Sequence, residues 1–119
     1  MQLKINGTQV PVMPKTLLVT SMDIDNEETT KRTADGTLIR DKITTKRKIE
    51  LEWGLLKWNE VSAILNLVKD VFFTVYYPDP MTGKYETKTF YCSNRPAGIA
   101  IEKGNEIYWS DIKLSLIEK

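Results

Sequence analysis

Four carboxylates, Asp23, Asp25, Glu27 and Glu28, crowd one short stretch with the density a calcium loop requires. A helix-loop-helix calcium site also needs a central glycine and a glutamate at its twelfth position, and neither stands at the right distance. The run therefore reads as a solvated or partner-facing strand end. Asp35-Gly36-Thr37 has the residues of the catalytic triplet of aspartic proteases. It stands alone in a charged segment without core residues, where a turn is the simpler reading. Histidine is absent, which removes the commonest general base and the commonest transition-metal ligand. Cys92 is the single cysteine, so no intrachain disulfide forms, and with no histidine to activate it the thiol reads as a small buried or half-buried side chain. These patterns predict no enzyme, no cofactor and no metal.

Basic residues offer a different chemistry. Arg40, Lys42, Lys46, Arg47 and Lys48 line one segment, and Lys31 and Arg32 add to them from the segment before. Phosphate contact through this basic strand, 40–48, makes a nucleic-acid-binding module the alternative reading. Asp35, Asp41, Glu50 and Glu52 interleave with the cations, whereas a nucleic-acid surface shows a cleaner basic stripe, so no specific DNA recognition is expected. Mixed charge sets register and rejects wrong partners, which favours interlocking with a complementary protein surface. The residues assigned to subunit contact are Asp25, Glu27, Glu28, Lys31, Arg32, Asp35, Arg40, Lys42, Lys46 and Lys48. Tyr76, Tyr77, Tyr85, Phe90 and Tyr91 have the types of a base-stacking platform, but cross-strand packing within a hairpin explains them equally well.

The elements that must carry these residues are mostly strands. The chain has 119 residues, 28% charged and with a formal net charge of +1, which suits one domain spanning 1–119 and gives no strong global field. No apolar run is long enough to span a bilayer, and Met1–Gly7 has no apolar signal core, so synthesis and folding in a cytosol are expected. Leu3 and Ile5 alternate with polar neighbours up to Asn6-Gly7, the favoured pair of a two-residue hairpin turn. Lys15 to Ile24 reads as a strand. Ile43, Thr45, Arg47, Ile49, Leu51 and Trp53 then share one parity, and Lys42, Lys46, Lys48, Glu50 and Glu52 share the other. Between these two strands almost nothing can be buried, so residues 25–42 form a projecting charged arm with its tip near Asp35-Gly36. Its middle, Glu27 to Ile39, is expected to be mobile or extended in an isolated subunit.

Val61, Ile64, Leu65 and Val68 have the spacing of one buried helical stripe, predicting a helix over about 59–69 capped by Asn59, with Lys69 suited to its end. Val71 to Tyr77 reads as a central strand, and Lys84 to Ser93 as its hairpin partner after the Pro78–Gly83 turn cluster. Ile107 to Ile117 reads as the last strand, with a β-bulge near Ser110-Asp111 to bring Ile107, Trp109, Ile112, Leu114 and Leu116 to one face. Trp53, Ile64, Leu65, Val68, Phe73, Val75, Trp109 and Leu114 are the predicted core. The fold class is mainly β, a sandwich or half-barrel of antiparallel strands with one helix.

The acidic strand end at Asp23, the Arg32–Asp41 loop, the Lys48–Trp53 return strand, the Phe72–Tyr77 strand, the Tyr91-Cys92-Ser93-Asn94-Arg95 turn and the closing Trp109 strand together resemble a family of small proteins from phages and prophages of Gram-positive bacteria, encoded among tail and other virion genes. The order of elements also resembles the phage tail-tube fold. That resemblance implies a structural subunit of a tail or tail-like particle, found in the virion, with a homo-oligomeric ring and other phage tail proteins as partners. It implies no small-molecule substrate and no membrane partner. Tube, hub, baseplate and completion roles are all compatible with it.

Overall fold

Asn6 and Gly7 both take positive φ, 51° and 78°, as their hairpin requires, and join β1 (Lys4–Ile5) to β2 (Thr8–Gln9). The computed structural model describes residues 1–25, 31–32, 38–39, 42–92, 95 and 98–119. After β2 the chain runs through β3 (Thr16–Asp25), β4 (Lys31–Arg32), β5 (Leu38–Ile39), β6 (Lys42–Trp53) and β7 (Leu56–Lys57) to α1 (Trp58–Leu67). β8 (Phe73–Asp79), β9 (Lys84–Tyr91), β10 (Ile99–Lys103), β11 (Glu106–Ser110) and β12 (Ile112–Glu118) complete it. The fold is mainly β, with antiparallel sheets and one short helix.

Seven strands form the main sheet in the order β2-β1-β8-β9-β12-β6-β3. β10, β11 and β7 form a second sheet, and β4 pairs with β5 alone. In sheet order β6 and β8 are three strand spacings apart, each about 4.8 Å. Their side chains nonetheless meet, and residues of β3 and of the β8–β9 turn line one depression. The sheet therefore curls into a half-barrel. Its concave face holds Leu3, Ile5, Ile49, Leu51, Trp53, Phe73, Val75, Tyr77, Phe90, Ile112, Leu114 and Leu116 in one buried cluster. α1, packed on β7 and β11, closes that cluster with Val61 and Ile64, and Val68 at its C-cap adds to it. The Trp53 indole N–H donates to the Val12 carbonyl at 2.8 Å, tying β6 to the segment after β2.

Six of the eight expected core residues are fully buried, while Leu65 and Trp109 are half-buried against the same cluster. The helix starts one residue earlier than expected, because Glu60 reaches back to accept the Lys57 N–H at 2.9 Å and so makes Lys57, not Asn59, the cap. It ends at Leu67, two residues before the expected Lys69, and Arg95 donates to the carbonyls of Val68 and Lys69 just past it. β8 begins at Phe73, leaving Val71 and Phe72 exposed. The expected last strand is two strands in different sheets. Asp111, at φ 57°, breaks them and sends the chain from one sheet to the other, so Ile107 stays exposed instead of joining Leu114. The irregular register falls elsewhere, between Ile24 and Asp25.

Candidate interaction site at the root of the arm

β3 and β6 pair from Thr16↔Glu52 to Asp25↔Lys42. β12 covers the other side of β6 only from Trp53 to Lys48. Beyond Lys48, β6 has only β3 beside it among the described residues. Ser21–Asp25 and Lys42–Arg47 are thus a two-stranded ribbon leaving the sheet. Later in the same stretch of sequence, Lys31↔Ile39 and Arg32↔Leu38 pair antiparallel in a sheet of their own. Asp25, Lys31, Arg32 and Lys42 accordingly lie on the paired strands of the arm. Glu27, Glu28, Asp35 and Arg40, and the tip near Asp35-Gly36, lie outside the described residues.

The outward face of the ribbon pairs Met22 with Lys46, Thr20 with Lys48, Leu18 with Glu50 and Thr16 with Glu52. Lys48 reaches Glu50 at 3.2 Å and Lys15 reaches Glu52 at 3.5 Å. Such exposed pairs each add little stability, so this ladder is not what braces the strands. On the other face the Thr45 hydroxyl donates to Asp23 at 2.8 Å.

The brace is a buried ionic cluster that the sequence reading did not assemble. Arg47 sits on the core parity of β6 and is only 9% exposed. Its Nε donates to Asp79 Oδ2 at 3.2 Å, and its backbone N–H donates to Glu118 Oε1 at 2.8 Å. Asp79, 2% exposed at the end of β8, also accepts the Tyr77 hydroxyl at 3.0 Å and the Met81 N–H at 2.9 Å. Burial alone would raise the Asp79 pKa, but the Met81 N–H, the Tyr77 hydroxyl and the Arg47 guanidinium outweigh it and hold the carboxyl below its ordinary value. Burial, then the hydrogen bond to Asp79 and its charge, push the Tyr77 phenol far above its ordinary value. At neutral pH the cluster is a cation, an anion and a neutral phenol, satisfied by one another. It ties β6 to the end of β8 where the ribbon departs.

Arg47 is thereby withdrawn from the basic stripe that a nucleic acid would need. One sequence signal marked it, a charge in line with Ile49, Leu51 and Trp53, but its partner lay in a turn cluster with no pattern to connect them. Among the aromatics, Tyr76 and Tyr85 stack on each other with centroids 4.9 Å apart, while Tyr77 meets Phe90 and Phe72 meets Tyr91 edge-on. This is packing between neighbouring strands. Cys92 is buried. Among the described residues no three cysteine, aspartate or glutamate side chains are grouped to hold a metal, and no helix is long and apolar enough to cross a membrane.

Together these features define an antiparallel β protein whose two longest strands, β3 and β6, run on past β12 as a ribbon, with a buried ion pair where they leave the sheet. The chain belongs to DUF6711, a family of unknown function, whose match spans residues 1–119. No curated protein and no solved structure matches it.

Proposed function

We propose that the chain is a non-enzymatic structural subunit of a phage tail or tail-like particle, in a tube, hub, baseplate or completion position. It assembles into a homo-oligomeric ring, alongside other tail proteins, through its charged arm and its sheet edges. It is made in the bacterial host cytoplasm and ends in the virion, without a cofactor. The observation that carries this reading is the ribbon of β3 and β6 running on past the end of β12. In the ribbon Ser21 and Asp23 are exposed and Thr44, Thr45 and Lys46 only half-buried, and a neighbouring subunit is what gives these strands a surface to cover. Ordering such a segment costs entropy, so one contact is weak; in a closed ring each subunit gives an arm and receives one, and the contacts support each other.

Deletion of Glu28–Leu38, with a short turn joining the strands, tests the reading in a complementation assay. The variant is expected to be folded and soluble but unable to build particles, and Arg32→Glu with Arg40→Glu is expected to weaken assembly without unfolding the chain. Normal particles from the deletion variant would refute an assembly role for the arm.

A further inference from the structure

The two ends of the main sheet are finished differently. β2 is two residues long and is followed closely by Pro11, which leaves that edge short. β3 is ten residues long, contains neither proline nor glycine, and pairs only with β6 among the described residues. Among the described residues its outer backbone groups form an open row, the template that a further strand requires. Side chains strengthen the case. Leu18 is 50% exposed on one face of β3, and on the other Leu17 and Val19 are half-buried. They line an open depression of about 560 Å³ with Met1, Pro78, Pro80 and Tyr85.

The charges identify the occupant. From Thr16 to Met22 the strand carries none; Lys15 precedes this stretch, and Asp23 and Asp25 follow it. A strand with a cation at its start and anions at its end complements itself only when antiparallel. A parallel copy would set lysine against lysine and aspartate against aspartate. We propose that β3 is the docking edge for β3 of a second copy, paired antiparallel about a two-fold axis at Val19–Thr20. An axis at Val19 places Lys15 opposite Asp23 of the second copy, and an axis at Thr20 places it opposite Asp25. With the axis at Val19 the two Val19 side chains face each other, Leu17 lies opposite Ser21 and Leu18 opposite Thr20; with the axis at Thr20, Leu18 lies opposite Met22 and Val19 opposite Ser21; either way the two main sheets become one. Because β3 continues into the arm, each copy lays its arm root along the start of the other's β3. This pairing goes beyond the particle reading and does not rest on it.

Sedimentation of the full chain tests it. The expected species at tens of micromolar has twice the 13.7 kDa chain mass. Lys15→Glu alone, and Asp23→Lys with Asp25→Lys, are each expected to weaken association about tenfold, and the triple charge swap to restore it to within about threefold. Val19→Cys or Thr20→Cys, whichever lies at the axis, should form a disulfide-linked dimer under mild oxidation. A chain that stays monomeric at every concentration overturns the proposal, as does a dimer indifferent to the charge variants or a triple swap without recovery. Deleting Glu28–Leu38 separates the two readings. A dimer that survives the deletion supports pairing at β3, and one that dissolves places the contact on the arm and overturns it.

Discussion

Arg47 and Asp79 show how one residue pair ties β6 to the end of β8 where the ribbon departs. Both are buried, and each is the other's charge partner. Removing either leaves an uncompensated buried charge, so Arg47→Met and Asp79→Asn should each cost about 3–5 kcal/mol, while the double replacement should cost less than their sum. Urea denaturation of the three variants measures this. The pH dependence has a defined sign. Asp79 titrates below its ordinary 3.8 in the fold, so the unfolded chain binds its proton first as pH falls. Its contribution is present above the ordinary value and is lost as pH drops through the lower folded one. The stability gap between the native chain and Asp79→Asn should therefore be constant from pH 7 to about pH 5 and shrink in acid. Tyr77 acts at the other end of the scale. Its raised pKa keeps its contribution whole below its ordinary 10.0, with loss only in stronger alkali.

At the scale of elements, regular patterns in the sequence were good guides and junctions between elements were not. The alternation through Ile49, Leu51 and Trp53 foretold β6 and its buried face, and Asn6-Gly7 foretold the first hairpin, because both signals are local. The stripe at Val61, Ile64 and Val68 foretold the helix face, but periodicity alone could not rank Leu65 below Ile64, since that depends on what packs beside each. Ile64→Ala should cost about 2–5 kcal/mol and Leu65→Ala distinctly less, a difference thermal unfolding will register. β10 was missed because Ile99–Lys103 is only five residues long and buries almost nothing. Its position relies on Gly98, at φ 77°, where a Cβ would collide with the Ser110 carbonyl oxygen. Gly98→Ala is expected to destabilise the chain by more than ~1 kcal/mol. The sheet switch at Asp111 was invisible for a related reason: a one-residue slip in alternation looks the same whether the strand bulges or ends.

The whole molecule is long for its size. Its radius of gyration is 18.2 Å and its longest extent 68 Å, against about 13.5 Å expected for the radius of a compact chain of this length. Among the described residues the buried apolar cluster has no member between Val10 and Ile49, and the residues of β3 that pack against it, Leu17 and Val19, lie before the ribbon, so ribbon and body are largely separate in apolar packing although continuous in β3 and β6. That separation sets the last prediction. Removing Glu28–Leu38 takes away charged length and leaves the core, the Arg47–Asp79 brace and the β3–β6 pairing up to Asp25 and Lys42. The radius of gyration measured by X-ray scattering below the concentration of any self-association should fall well below 18.2 Å, toward the compact value. The melting temperature should move by no more than a few degrees, because every residue of the buried cluster is kept. A large drop in melting temperature would mean that the arm folds back to support the body. It would then be an internal brace, and the division into a stable body and an arm for contact would have to be abandoned.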